Sequence, residues 1–288
     1  MSELPIGFVD LKKLATPMEK AWLASAKERG IIRWNKTVPP EEVHTYYKIS
    51  ICTTCMGRLH HLKQTLPQNI LDNWDYRKKL EFLILDYNSN DGLGKWVKDA
   101  LGKYVESGLV AYYRTEEPKY YDMSHSRNIA FKLASGDIVN NVDSDAYTNK
   151  GFASYINRQA NVQPEKATFA KSRQLLRGRL GFYKKDFIEI LGGYDENLHA
   201  YGHDDQDLLN RAWELGFTLM YYGGQFCGIV EDHVKHQEGN YKKKWWETEG
   251  ENRLISFTNL LTGRFKANVG KEWGKATVIK NFTEEIHI

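Results

Sequence analysis

Residues Asp137–Asp145 read DIVNNVDSD, an apolar run that leads directly into two acids. The apolar part predicts a strand buried in a sheet. Asp143 and Asp145, two residues apart at the strand end, can both face one crevice. Such oxygen ligands suit a hard divalent cation, Mg²⁺ or Mn²⁺. The alternative interpretation is an Asx-type turn that caps the next helix.

Strand and helix patterns alternate on the amino-terminal side of this stretch. Strands are predicted at 47–52, 81–85 and 109–113, with helices after the first two and another at 124–133. This alternation predicts an α/β fold with a mainly parallel central sheet flanked by helices. Polar turns follow the strands at Thr53 and Asp86, as at Asp143. Because ligands bind at the carboxyl ends of such strands, we expect a single site there.

Composition restricts the class of protein. The chain has 288 residues, 41% of them hydrophobic, which excludes a disordered or fibrous protein. Its 40 Lys and Arg against 37 Asp and Glu give a net charge of +3, too weak to indicate a nucleic-acid binder by itself. Cys52 and Cys55 lack the second cysteine pair of a zinc site, so we expect them to be core or turn residues. We see no signal peptide or transmembrane segment and expect a cytoplasmic protein.

Three regions are expected along the chain. Residues 1–45 are predicted to form an N-terminal helical extension. Apolar residues recur at helical spacing within Leu14–Arg29, and Thr16-Pro17 is predicted to be the N-cap and first turn of this helix. Residues 46–264 are predicted to form the main domain, and residues 265–288 a C-terminal tail.

A second acidic cluster lies at Gly202–Leu208, GHDDQDL, after the glycine turn Gly192-Gly193. A helix is predicted from Asp205 onward, and acids at its first turn are favoured by the helix dipole. Asp204 and Asp205 are therefore either capping residues or general bases that act on a hydroxyl.

Two further segments carry candidate ligands. His233 and His236 each offer an imidazole to a transition metal, and only one of the two is needed. Lys242–Trp246, KKKWW, could contact phosphates and stack on sugars or bases, or could be a solvated basic loop with two packing tryptophans.

Taken together, these segments resemble a family 2-type glycosyltransferase with the GT-A fold over about residues 46–260. The resembling segments are Ser50–Arg58 (SICTTCMGR), Leu83–Gly92 (LILDYNSNDG), Ser126–Asn128 through Gly136-Asp137, Asp143–Asp145, Gly192–Glu196 (GGYDE) and Gly202–Leu208. His236-Gln237-Glu238 is similar to the metal-binding histidine region of chondroitin-polymerase-like and β-1,4-galactosyltransferase-like enzymes. Asp204 departs from the glutamate that is usual at its position.

The resemblance implies an inverting hexosyltransferase that moves a sugar from a nucleoside-diphosphate sugar, most commonly UDP-linked, to a hydroxyl of a glycan or glycolipid. Asp205 would be the base that deprotonates this hydroxyl, and Asp204 would contact the acceptor. Asp145 and His236 would hold Mn²⁺ or Mg²⁺, and Asp143 would reach the ribose and the metal.

The remaining donor contacts follow from the same resemblance. Thr53 lies in the nucleotide-binding turn, Arg58 or Asp86 would hold the base, and Arg127 would add positive charge near the phosphates.

Two alternatives remain open. The acceptor could be a hydroxylated nucleic-acid base, contacted by Lys242–Trp246 and by the basic residues Lys171, Arg173, Arg177 and Arg179, although the modest net charge argues against this. The chain could instead be a non-catalytic nucleotide-sugar-binding or carbohydrate-binding module. A binding module would need no base, so the presence of Asp205 beside the predicted metal ligands disfavours it.

Overall fold

The computed structural model describes residues 11–35, 41–171, 179–230 and 238–288. The strands in these ranges are β1 (Trp34–Asn35), β2 (Ile49–Cys55), β3 (Leu80–Tyr87), β4 (Val110–Thr115), β5 (Ile138–Val142), β6 (Ala146–Tyr147), β7 (Ala167–Ala170), β8 (Arg179–Tyr183), β9 (Thr218–Tyr221), β10 (Gly228–Ile229), β11 (Thr277–Lys280) and β12 (Glu284–His287). The helices are α1 (Leu11–Glu28), α2 (Leu59–Asp72), α3 (Leu93–Glu106), α4 (Met123–Leu133), α5 (Phe152–Val162), α6 (Lys184–Asp186), α7 (Asp204–Glu214) and α8 (Trp245–Leu261).

Within the described residues, ten strands form one sheet in the order β1-β9-β7-β8-β5-β2-β3-β4-β11-β12. Neighbours are parallel from β5 through β2 and β3 to β4, and from β1 through β9 to β7. β8 runs antiparallel to both of its neighbours, and β11 pairs antiparallel with β4 and β12. The predicted α/β fold with a mainly parallel central sheet is confirmed.

The three central strands fix the position of the site. Every residue of β2, β3 and β5 is buried, as expected for strands covered on both faces. Ile49 of β2 is in register with Leu80 of β3 and with Ile138 of β5. The carboxyl ends of these parallel strands therefore meet at one edge, and the polar residues that follow them are brought together.

Helix α1 begins earlier than the sequence suggested. Pro17 lies inside the helix rather than at its start, so the prediction that the helix begins at Thr16-Pro17 is wrong. The buried face of the helix already includes Ala15 and continues through Trp22 and Ala26. Pro17 is exposed. The packing of this buried face stabilises the helix on both sides of Pro17. The proline removes only one backbone hydrogen bond, on the side that faces solvent.

α1 is attached to the helix that carries Asp204 and Asp205. Trp22 Nε1 donates to Glu214 Oε1 at the end of α7 (2.7 Å), and Arg29 donates to both carboxylate oxygens of Glu214 (2.8 Å each). The Trp22 ring lies 6.0 Å from the Phe257 ring of α8, measured between centroids. The boundaries predicted after residues 45 and 264 stay predictions.

The last residues of the chain extend the sheet. β11 and β12 form a hairpin, and Ile279 of β11 is in register with Arg114 of β4. The region predicted as a tail thus supplies two strands. None of the helices in the described part of the chain is long and apolar enough to cross a membrane.

Candidate active site

A cavity of about 140 Å³ opens at the carboxyl edge of the central strands. Its walls come from the segment after β5, the end of β2 with the turn that follows it, the start of α4, the loop before α7 and the loop before α8. The lining residues are Thr54, Met56, Arg58, Tyr121, Met123, Asp143, Ser144, Asp145, Tyr201, Asn240 and Tyr241.

At the end of β2, the cavity is lined by Thr54 rather than by the predicted Thr53. Thr53 Oγ1 donates to the carbonyl of Val142 (2.7 Å), within the sheet. Thr54 Oγ1 is hydrogen-bonded to the Tyr121 hydroxyl. Successive side chains of a strand point to opposite faces, so only one of the two threonines can face the cavity. That alternation is the sequence signal that could have found Thr54.

The turn after β2 is closed by a residue from the other end of the chain. Gly57 has a φ of +66°, and a Cβ there would lie 3.2 Å from Asn240 Nδ2. Asn240 Nδ2 donates to the Met56 carbonyl (2.8 Å), and the Tyr121 amide donates to the Asn240 carbonyl (2.8 Å). Arg58, a predicted donor contact, does line the cavity, with Nη1 3.2 Å from His61 Nδ1.

Asp86, another predicted donor contact, lies in β3 and is fully buried. Its carboxylate accepts hydrogen bonds from the Ser89 amide (2.7 Å), the Tyr112 hydroxyl (2.6 Å) and Arg114 Nη1 (2.7 Å). It is not among the described residues that line the cavity. These three bonds hold the turn after β3, and a contact with the nucleoside stays a prediction.

Arg127, on α4, connects the two acidic clusters. Its side chain is 1% exposed. Nη2 donates to Asp143 Oδ1 (3.1 Å), and Nη1 donates to Asp205 Oδ1 (3.0 Å) and to Asp204. These carboxylates raise the pKa of Arg127 against the opposing effect of burial. Arg127, expected near the phosphates, thus lies behind the cavity wall and is bonded to acids from both clusters.

The loop before α7 sets the direction of Asp204 and Asp205. Gly202 and His203 both have left-handed backbones, with φ of +97° and +67°. Asp204 and Asp205 are the first two helical residues, and both carboxylates accept from Arg127. Thus both acids serve as more than end caps.

The pKa of the Asp205 carboxyl group is raised far above its usual value. Burial raises its pKa to about 7 against the opposing effect of Arg127, and the carboxylates of Asp204 and Asp143 add to the rise. The Tyr194 hydroxyl donates to the same oxygen that binds Arg127, at 3.0 Å. Burial also raises the pKa of Asp204 against the opposing effect of Arg127. A carboxyl group with a pKa near neutrality is suited to proton transfer.

The predicted metal ligands Asp143 and Asp145 both line the cavity. Burial has the largest effect on the pKa of Asp145 and raises it, and the Asp143 carboxylate raises it further. His61 and Arg58 oppose this rise. A carboxylate whose charge is disfavoured by burial and by its neighbour, as at Asp145, fits a divalent cation, which would relieve that repulsion. No three His, Cys, Asp or Glu side chains converge within the described ranges. The other predicted ligand, His236, and its alternative His233 lie outside the described residues.

Part of the cavity wall consists of tyrosines that the sequence did not predict. The Tyr241 ring meets those of Tyr121 and Tyr201 edge-on, with centroids 5.8 and 5.6 Å apart, and Tyr87 packs on Tyr121 in the same way at 5.6 Å. Tyr121, Tyr201 and Tyr241 come from separate loops and Tyr87 ends β3, so no sequence spacing links them.

The basic residues considered for nucleic-acid contact do not form one exposed group. Arg179 is fully buried, and its guanidinium donates to the carbonyls of Tyr147 and Gly228. Arg173 and Arg177 lie outside the described residues. Because a buried arginine cannot reach a phosphate backbone, the expectation for Arg179 is wrong.

Two family models match consecutive parts of the chain. Residues 50–164 match glycosyl transferase family 2, and residues 165–237 match the model described as the N-terminal domain of galactosyltransferase. No curated protein sequence matches the chain.

Several solved glycosyltransferases share the fold. The mannosyltransferase PcManGT of Pyrobaculum calidifontis, in complex with GDP-Man and Mn²⁺, is 17% identical with a TM-score of 0.55, over 88% of this chain and 86% of that one. GalNAc-T7 with UDP, GalNAc and Mn²⁺ is 15% identical with a TM-score of 0.54, over 85% of this chain and 56% of that one. TarS 1-349 of S. aureus with UDP-GlcNAc is 13% identical with a TM-score of 0.52, over 75% and 73%.

The matched segments contain both acidic clusters of the site, and the fold that positions them is the one found in these structures. The chain is a glycosyltransferase of the GT-A type, with a family 2 segment at residues 50–164.

Proposed function

We propose that this glycosyltransferase transfers a hexose from a UDP-sugar to a hydroxyl of a glycan or glycolipid, with inversion and with a divalent cation. The observation that carries the proposal is the buried Arg127, which bonds both an acid of the cavity, Asp143, and the candidate base, Asp205. A donor bound in the cavity and a base held beside it are the two components that direct displacement at a sugar carbon requires.

At the donor end, Asp143 and Asp145 would hold the cation, with His236 as the proposed third ligand. Mn²⁺ or Mg²⁺ would supply Lewis-acid stabilisation of the charge on the departing diphosphate. Arg58 offers positive charge in the same cavity. The presence of Mn²⁺ in PcManGT and GalNAc-T7 supports a metal requirement, and the UDP in GalNAc-T7 and TarS supports the nucleotide.

At the acceptor end, Asp205 would take the proton of the attacking hydroxyl. The acceptor oxygen forms a bond to the anomeric carbon while the bond from that carbon to the diphosphate oxygen breaks. The electron pair leaves with the nucleoside diphosphate, and the proton remains on Asp205. A single displacement of this kind inverts the anomeric configuration. The hydrogen bonds from Arg127 and the Tyr194 hydroxyl keep Asp205 oriented for this step.

The first experiment is a thermal-shift panel of UDP-, GDP-, dTDP- and CDP-sugars, each with and without Mn²⁺. We expect a rise in Tm with the UDP-sugars that requires the metal, because a ligand that binds only the folded state stabilises it. A metal-dependent rise in Tm with GDP-sugars alone would show that the donor nucleotide is GDP rather than UDP. No rise with any nucleotide sugar would contradict the proposal.

The second experiment tests the base and the stereochemistry. With water as acceptor, proton NMR of the freshly released sugar reports its anomer before mutarotation, and we expect the anomer opposite to that of the donor. Asp205→Asn should lower turnover by about 10²–10⁴-fold while metal-dependent nucleotide binding persists. Asp99→Asn, the same change at an exposed position of α3, is the control. Lost nucleotide binding in Asp205→Asn would make the residue structural, and a retained anomer would refute inversion.

A further inference from the structure

Trp245 and Trp246, the tryptophan pair, begin α8 with their indole rings at the surface. Their exposed fractions are 46% and 42%. The ring centroids are 5.8 Å apart and the planes meet at 88°, so the two rings form a right-angled corner. Adjacent exposed indoles are unusual on a protein surface without a binding role.

The tryptophan pair is fixed beside the loop that leads to the acids. Thr248 Oγ1, in the first turn of α8, donates to the Tyr201 carbonyl (2.9 Å), and Asn252 Nδ2 donates to the Gly202 carbonyl (2.8 Å). On the other side of the pair, Tyr241 lines the cavity and packs on the Tyr201 ring. The start of α8, which carries the pair, is therefore held against the loop that leads to Asp205, and we expect an acceptor to approach Asp205 from this side.

The charges around the tryptophan pair balance. Residues 242–251 contain three lysines and three glutamates. Lys243 Nζ donates to both carboxylate oxygens of Glu251, at 2.8 Å each. Lys244 Nζ lies 5.1 Å from the centroid of the Trp246 ring. Because this segment has no net charge and Lys243 is paired with Glu251, it lacks the concentration of unpaired positive charge that gives a polyanion such as a nucleic acid its affinity.

We propose that the tryptophan pair is the acceptor subsite and binds an uncharged pyranose ring of a saccharide. This inference rests on the proposed function and narrows its acceptor class. The C–H face of a pyranose is apolar and its edge carries hydroxyls, so it can cover an indole while its hydroxyls stay hydrated or meet Lys244. Aromatic side chains suit such ligands because they combine a large apolar area with few rotatable bonds.

The test uses a glycan array carrying neutral and acidic glycans, and a single-stranded DNA 12-mer, probed with the full chain in the presence of UDP and Mn²⁺. The strongest neutral oligosaccharide is then titrated calorimetrically. We expect binding of neutral glycans, weakened by about 10-fold in Trp245→Ala and in Trp246→Ala. Trp245→Phe, which keeps an aromatic face, should remain within about threefold of the unaltered chain.

Trp74→Ala is the matched control, since Trp74 is 42% exposed and lies just before the start of β3, at the opposite edge of the sheet. It should leave glycan binding unchanged. Preference for acidic glycans or DNA, equal binding by the alanine variants, or no glycan bound would each overturn the assignment. Metal-dependent UDP binding, measured in the same samples, separates the two proposals: its presence without glycan binding refutes only the subsite, and its absence also contradicts the UDP-donor proposal.

Discussion

Replacing Arg127 with methionine keeps a long, flexible side chain and removes the positive charge that faces Asp143, Asp204 and Asp205. In the unaltered chain Arg127 lowers the pKa of Asp205, which burial has raised to about 7. We therefore expect the pKa of Asp205 to rise further in Arg127→Met. The change also leaves the buried Asp204 carboxylate without its cation, which destabilises the fold.

The sign of the pH dependence follows from proton binding. A carboxyl group whose pKa is higher in the folded than in the unfolded state binds protons more readily when folded, so the free energy of unfolding falls as pH rises. In the unaltered chain the contribution of Asp205 falls from about pH 4 and levels off above about pH 7. In Arg127→Met the fall continues to higher pH.

The size of the effect can be estimated from general values. Loss of a neighbouring opposite charge shifts a carboxyl pKa by about 1–3 units, and each unit corresponds to about 1.4 kcal/mol. Because at most about two units of that shift lie between a pKa of about 7 and pH 9, the variant should lose about 1.4–2.8 kcal/mol more at pH 9 than at pH 5. For a chain of this size, that corresponds to a further drop in Tm of roughly 3–10 °C.

The assay is thermal unfolding of both proteins at pH 5, 7 and 9 in EDTA, so that no cation can take the place of the guanidinium. The double variant Arg127→Met/Asp205→Asn is the control, because an amide at position 205 cannot titrate and should remove the contribution of Asp205 to the extra pH dependence. An equal Tm difference at pH 5 and pH 9 would refute the reasoning, since the loss would then come from packing alone.

Three further outcomes are expected. Trp22→Ala should lower the free energy of unfolding, measured by urea titration, by about 3–5 kcal/mol. Trp34→Ala is the control and should change it by less than about 0.5 kcal/mol, because Trp34 is 57% exposed. Similar values for the two variants would contradict the packing of α1. Asp86→Ala should lower the free energy of unfolding by about 1–3 kcal/mol, because it removes the buried acceptor of the Ser89 amide and the Tyr112 hydroxyl, and a stable variant with weakened UDP binding would instead support the donor contact. Asp145→Ala should abolish the Mn²⁺-dependent rise in Tm with UDP, and an unchanged rise would remove Asp145 from the metal site.

The strand and helix order of the central region was predictable because its signals are local. A continuous apolar run marks β3, Ile138, Val139 and Val142 mark β5, and polar turns mark the strand ends that meet at the site. The positions of Asp143 and Asp145 on the cavity follow from that order, since parallel strands bring their carboxyl ends to one edge.

The contacts between distant segments were not predictable. Arg127 resembles any helix residue in the sequence, and only the fold brings Asp204 and Asp205, more than 70 residues away, against its guanidinium. Arg179 looks like an exposed cation, yet its position in a central strand buries it against backbone carbonyls. Such pairings depend on how distant strands and helices align in the fold. No local sequence pattern in a single chain predicts that alignment.

The first and the last strand of the described residues, β1 and β12, occupy the two margins of the sheet. β1 is two residues long, and β12 carries two exposed glutamates, Glu284 and Glu285, so neither offers a long, apolar row of unpaired amides. Without the β11–β12 hairpin, β4 would become the margin, and its apolar residues from Val110 to Tyr113 are buried. The hairpin therefore protects the enzyme from edge-to-edge self-association, a solubility role quite separate from sugar transfer.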